Sequence, residues 1–243
     1  MRYIVLLSIL TFLQQPAFKQ TQLKNSRVKA AYDEKENVVK GFFTTKNFNY
    51  QGFNLFIRAF KKEQLLEVWI KEKGKTKFAL LLTYPFCSSS GSLGPKRKEG
   101  DLQIPEGIYH INHFNPLSNF HLSLGVSYPN ASDKVLSDPA RPGGAIYVHG
   151  NCVTIGCIPI TDDKIKELYI LAVEARTNGQ KNIPIHIFPS KLNEAGMNQL
   201  KQTYKSAPDV IKFWENLQSI YLDFEDQKLL KIVKVNKQGE YSF

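Results

Sequence analysis

The middle of the chain alternates short hydrophobic runs with polar, turn-forming breaks, while both flanks carry apolar residues at helical spacing. "NLFIRAF" and "LLEVWIKE" are short β-rich runs, and "EKGKTK" supplies a Gly-centred turn into "FALLLTYPF", which together predict a hairpin. "GIYHINHF", "FHLSLGVSY" and "GAIYVHG" continue as short segments with β-branched and aromatic residues, separated by "NPLSN" and "SDPARPGG". Such spacing predicts a mostly antiparallel β domain. Helical spacing returns in "DKIKELYILAVEARTNG", where Ile165, Leu168, Tyr169, Ala172 and Val173 share a face. Thr161 or Asp162 is the expected cap and Gly179 the stop. "IPIHIF" reads as one more strand, closing the domain near residue 190. Two helices are predicted between Asn193 and Asp226, the second opening at Ala207 and Pro208 and carrying Ile211, Phe213, Trp214, Leu217 and Tyr221. Residues 21–45 are polar with scattered apolar positions and read as a helix ending near Gly41. The chain thus divides into a helical extension at 21–55, a β-rich domain at 56–190 and a helical C-terminal extension at 191–243.

The first residues, "MRYIVLLSILTFLQQPAF", change this picture: Arg2 precedes an apolar run from Tyr3 to Leu13. That length fits a secretory signal and is too short to span a bilayer, so residues 1–20 read as a signal peptide, with the cut between Gln14 and Gln20. The expected protein is therefore exported, to the periplasm or cell envelope, with no stable membrane span once the signal is removed. Net charge is +10 and the isoelectric point about 9.4, which suits anionic partners. The cations are dispersed, however, and the densest group, Lys96, Arg97 and Lys98, is followed at once by Glu99. With no zinc-finger, RRM or helix-turn-helix motif, nucleic acid is not an expected partner. Neither a P-loop nor a G-x-G-x-x-G motif appears, so no nucleotide cofactor is expected.

Candidate chemistry concentrates in "YVHGNCVTIGCIPITDD", which holds His149, Cys152 and Cys157 inside nine residues. Three readings are open. A zinc site would draw on His149, Cys152 and Cys157 and needs a fourth ligand from Cys87, His110, His113 or His121. A Cys152–Cys157 disulfide would close a tight loop in an exported protein, leaving the third thiol over. A thiol nucleophile would use His149 as the base that removes its proton. In that case Gly156, immediately before Cys157, lets the backbone turn tightly and leaves nearby N–H groups free to hold an oxyanion. The third reading explains the glycines; the metal reading does not. Of the other residues, His110 and His113 are expected to face solvent or a strand neighbour, His186 to sit in the core, Cys87 and Cys152 to be small buried hydrophobes, and Trp69 and Trp214 to pack.

"HGNCVTIGC" resembles the active-site motif of the YkuD-type L,D-transpeptidase catalytic domain, in which a histidine is followed after a gap by Ser/Thr-x-Gly-Cys. "CSSSGSLGPKRKEGDLQIPEGIYHI" resembles the strand and Pro-x-Gly turn before that family's active site, and "NFHLSLGVSYPNASD" is similar to its murein-associated, YafK-like branch. The likeness covers roughly residues 56–190. It departs from most of the family where Ile155 replaces a second histidine, and in the short spacing of eight positions from His149 to Cys157. The resemblance implies a mainly β fold with α additions, a β-sandwich flanked by N- and C-terminal helices. It implies Cys157 as nucleophile, His149 as base and Gly156 as part of the oxyanion turn, with no metal and no cofactor. The implied partner is the peptidoglycan stem peptide and the implied reaction acyl transfer through a thioester. Carboxypeptidase or endopeptidase cleavage, and murein binding without catalysis, are the alternatives. Lys96, Lys98 and Arg141 are the candidates to hold substrate carboxylates, with Thr154, His121, Ser123, Tyr128 and Asn130 as further substrate-binding residues.

Overall fold

In the computed structural model, which describes residues 18–243, β1 (Asn54–Phe60) and β2 (Leu65–Lys71) are buried on both faces. Successive strand residues point to opposite faces, so β1 feeds two cores. Leu55, Ile57 and Ala59 join one apolar cluster, while Phe56 and Phe60 join two others on the opposite side. Both faces are therefore covered by helices. α4 (Thr161–Thr177) lies on one side, backed by α1 (Phe18–Leu23) and α2 (Ser26–Thr45); α5 (Glu194–Thr203) and α6 (Pro208–Gln227) lie on the other.

The remaining strands are β3 (Ala79–Pro85), β4 (Gly107–Asn115), β5 (Ser123–Val126), β6 (Tyr147–His149), β7 (Ile158–Pro159) and β8 (Ile183–Phe188). They join β1 and β2 in one eight-stranded sheet of order β3-β2-β1-β8-β4-β5-β6-β7. The expected hairpin is β2–β3, and only the β1–β8 and β6–β7 pairs are parallel. The mainly β fold with flanking helices is thus present, its β layers formed by a single curled sheet. Curling brings the two ends together. Cys87, just past edge strand β3, donates its backbone N–H to Pro159 O in the opposite edge strand β7 at 3.0 Å.

Local expectations fail where tertiary burial outweighs them. α2 runs through Gly41 to Thr45, because Val39 and Phe43 continue the buried face begun by Val28, Ala31 and Tyr32. That burial exceeds the roughly 1 kcal/mol cost of a helical glycine. Neither Thr161 nor Asp162 caps α4: the N-cap is Ile160, without a side-chain hydrogen bond, and Asp162 Oδ1 accepts instead from the Asn151 backbone N–H at 2.8 Å. Asp162 and Asp163 still place negative charge at the positive end of the helix. The C-terminal extension is not wholly helical, since β9 (Lys234–Val235) and β10 (Tyr241–Ser242) form a separate two-stranded sheet. It folds back over α3 (Ala131–Leu136), with Ser132 Oγ donating to Gly239 O at 2.5 Å. Of the expected signal segment, residues 1–17 lie outside the described residues, while Phe18 opens α1 and stacks edge-on against Phe114 at 4.9 Å.

Candidate active site

The parallel register of β6 and β7 pairs Val148 with Ile158 and His149 with Pro159, so Cys157 lies alongside Tyr147. Cys157 immediately precedes β7, its thiol set against the β6 backbone at Ala145 and Tyr147, and the 150–156 loop joins it to His149 at the end of β6. Cys157 is the free cysteine, and its thiol donates to Ala145 O at 3.6 Å. Burial raises its pKa, partly offset by the Tyr147 backbone N–H and the nearby charge of Lys96. The resting group is therefore a neutral thiol that needs a base.

His149 is 1% exposed. Its Nδ1 faces the carbonyl of Gly150, which can only accept, so Nδ1 carries the proton and Nε2 keeps its lone pair. Burial holds the imidazole pKa below its ordinary value, opposed by the Gly150 hydrogen bond. The ring of Phe120 stacks on the imidazole at 4.6 Å and 30°, and Ser123 sits opposite His149 in the neighbouring strand. Among the described residues no hydrogen bond joins His149 to the Cys157 thiol; the thiol points at Ala145 O.

The turn before Cys157 needs glycine. Gly156 has φ +136°, and a Cβ there would lie 3.0 Å from Gln103 O. The amides around it are not free, contrary to expectation. Thr154 Oγ1 accepts from Cys157 N–H at 2.8 Å and Gly156 N–H at 3.2 Å, and donates to Cys157 O at 2.8 Å. Local hydrogen bonding to a hydroxyl three residues back has won over an open anion nest.

The cysteine pairing also differs from both sequence readings. Cys152 is bonded to Cys87, 65 residues away, with a Cα–Cα separation of 5.3 Å. The pair is neither a Cys152–Cys157 bridge nor two buried hydrophobes, and it removes two thiolates from any zinc ligand set. The bond fastens the loop between His149 and Cys157 to the end of β3, beside the Cys87–Pro159 hydrogen bond. No short-range pattern marks it.

The substrate-binding candidates divide. Lys96 is buried, its Nζ held by Asp101 Oδ1 at 2.6 Å and Lys98 O at 2.9 Å. Burial opposes ionisation of Asp101, but Lys96 and the N–H groups of Arg97, Lys98 and Gln103 outweigh it and lower its pKa. Lys96 thus reaches Cys157 as a fixed charge. Lys98 and Arg141 are exposed, and Arg141 pairs with Glu99 at 2.8 Å. Tyr128 is buried and donates to Pro142 O at 2.8 Å, bracing the loop before β6. Asn130 caps α3 and donates to Ile108 O and Tyr241 Oη, so its side chain is committed to structure. His121 has φ +69° and a buried Nε2 without a hydrogen-bond partner; burial lowers its pKa, and the charges around it come from α2 and α4. Phe120, Ala145 and Gln103, which shape the site, carry no sequence signal of their own.

Residues 55–187 match the YkuD family, described as the L,D-transpeptidase catalytic domain. The chain belongs to that family. It is 33% identical over 186 residues to "Putative L,D-transpeptidase YafK" of Escherichia coli (strain K12), covering 76% of this chain and 72% of the relative. Among solved structures, it is similar to the helical cell shape determining protein Pgp2 from Campylobacter jejuni, with 19% identity, a TM-score of 0.45 and coverage of 82% and 80% of the two chains. Mycobacterium tuberculosis L,D-transpeptidase 1 gives 18% identity and a TM-score of 0.33, over 56% and 62%. The YkuD match runs from β1 into β8 and contains both His149 and Cys157.

Proposed function

We propose that this YkuD-family protein is a cysteine-dependent L,D-transpeptidase acting on murein stem peptides. One observation carries the reading: the Gly150 carbonyl fixes the His149 tautomer, so that Nε2 is the available base at the end of β6, the strand against whose backbone the free thiol of Cys157 lies. In the proposed reaction, Nε2 takes the thiol proton and Sγ attacks the carbonyl joining the stem's diamino acid to its D-amino acid. Collapse of the tetrahedral adduct breaks that amide bond, and the imidazolium returns its proton to the departing amine. The resulting thioester on Cys157 is opened by an amine of a second stem, giving a cross-link, or by water, giving a shortened peptide. The oxyanion requires Thr154 Oγ1 to release the Cys157 or Gly156 N–H that it holds.

Export belongs to the same proposal. Phe18 and Lys19 pack on the folded domain, Lys19 N donating to Thr177 Oγ1 at 3.1 Å. The reading therefore sets the signal cut before Phe18, which N-terminal sequencing of the secreted protein would check.

The deciding experiment is mass spectrometry of products formed from disaccharide-tetrapeptide by the protein and by Cys157→Ala. Dimers that disappear in the variant support transpeptidation, with a rate loss of at least about 10⁴-fold expected. Shortened monomers alone would make the protein a hydrolase of the same chemistry. Undiminished activity in Cys157→Ala would overturn the mechanism.

A further inference from the structure

A cavity of about 750 Å³ is lined on one side by Gly94, Pro95 and Arg97, and Cys157 is not among its lining residues. Lys96 turns toward Gly143 and reaches Cys157 with its charge, whereas Pro95 and Arg97 line the cavity. The floor is apolar, made by Leu136, Val210 and Phe213. The roof is the turn of the C-terminal hairpin at Gln238, Gly239 and Glu240.

This cavity is built into the fold. Gly239 O is held by Ser132 Oγ, and Tyr241 is held by Asn216 on α6 and by Asn130. Gly94 is pinned through its N–H to Glu106 and through its carbonyl to Lys61. Glu106 in turn accepts from Trp214 Nε1 at 2.7 Å, next to the floor residue Phe213. The volume falls in the range of small-ligand sites, about 300–1,000 Å³.

The polar groups specify the ligand. The Arg97 guanidinium lies 4.9 Å from the centroid of Phe213 and makes one long contact, 3.5 Å, from Nη1 to Asp133. Nε and Nη2 make no hydrogen bond among the described residues, leaving a fork suited to a carboxylate. Asp209 supplies negative charge at the cavity rim, where Glu240 is paired with Lys212 at 3.0 Å. We propose that this cavity is a second binding site, for a short peptide bearing both a free carboxylate and a free amine, its small side chains resting on Leu136, Val210 and Phe213.

Resting on the murein reading, the peptide is a second stem of the polymer, held apart from the one that meets Cys157. Two sites on one chain turn attachment to a polymer into an avidity effect. The stem peptide's methyl side chains, carboxylates and diamino-acid amine match the floor, Arg97 and Asp209.

The test is methyl NMR of the protein carrying Cys157→Ala, titrated with the free tetrapeptide alanyl-γ-glutamyl-diaminopimelyl-alanine. Saturable shifts at the Leu136 and Val210 methyls are expected, separate from shifts at Val153 and Ile155 beside Cys157. Arg97→Gln should weaken the cavity event by about tenfold or more. Leu136→Asp, which leaves the Arg97–Asp133 contact in place, should abolish it by repelling the carboxylate. Acetylating the amine and amidating the carboxylates of the peptide should also abolish it. Shifts confined to Val153 and Ile155 would overturn the second site and leave the catalytic reading standing. Shifts at neither place would overturn it too, while the product analysis with unmodified protein judges catalysis separately. Unchanged cavity binding in both Arg97→Gln and Leu136→Asp would equally refute the proposal.

Discussion

At the residue scale, two groups with opposed preferences stand at the two ends of one loop. Burial favours the protonated Cys157 thiol and the neutral His149 imidazole, so in the proposed mechanism the proton moves only when substrate arrives. The pH dependence follows from the sign of the histidine shift. In the proposed mechanism the active form is neutral His149, and its pKa lies below the ordinary imidazole value of about 6.5. Activity should persist on acidification past that value and fall only as pH drops through the lowered pKa. A kcat/KM profile with its acid limb at or above about 6.5 would count against His149 as the base. Phe120 offers a direct perturbation, since its ring covers the imidazole. Phe120→Leu opens the ring to water, relieves the burial that lowers its pKa and should shift the acid limb upward, with a stability cost of about 0.5–1.5 kcal/mol for the lost stack. An unmoved limb would mean that burial by Phe120 does not tune the base.

At the element scale, the site depends on a seam. β3 and β7 are opposite edges of the sheet, yet they meet through the Cys87–Pro159 hydrogen bond and the Cys87–Cys152 disulfide. The covalent link anchors the loop whose two ends are the proposed base, His149, and the proposed nucleophile, Cys157. Closing a 65-residue separation restricts the unfolded chain by up to about 4 kcal/mol on the chain-entropy account. Cys87→Ser or Cys152→Ser should therefore lower Tm and reduce turnover together, and reductant should do the same to the unaltered protein. Thiol titration of the folded, oxidised protein should find one reactive group. Two or three would show the bridge absent. This pairing was illegible in the sequence because disulfide partners are chosen by which strand ends the sheet brings together, and 65 residues of intervening fold make that choice.

At the scale of the whole molecule, one buried carboxylate ties the C-terminal helices to the sheet. Glu106 is fully buried and ties together Lys61 at the end of β1, Gly94 in the cavity wall and Trp214 on α6. Glu106→Gln would leave the Lys61 ammonium buried without its counter-charge, at a cost of about 3–5 kcal/mol by urea denaturation. Replacing both partners, as Lys61→Met with Glu106→Leu, should recover much of that loss, because no uncompensated charge remains. A double variant no more stable than Glu106→Gln would mean that the hydrogen bonds to Gly94 and Trp214 dominate over the charge pair.

The sequence by itself determined the elements whose signal is local. The hairpin β2–β3, the strand β8, the helix opening at Pro208 and the motif containing His149 and Cys157 all follow from periodicity, turn residues and spacing within about 20 residues. The need for glycine at 156 was legible for the same reason, although the Gln103 carbonyl that crowds it was not. Tertiary structure decided what depends on distant segments. It took Thr154 into the loop's own hydrogen bonds, spent Lys96 on Asp101 and Asn130 on a helix cap, extended α2 past Gly41 and folded the last residues back as the roof of a cavity. Local propensities are worth about 1 kcal/mol or less per residue. Burial of one large side chain is worth about 1.5–3 kcal/mol, so contacts between remote segments override them wherever the two compete.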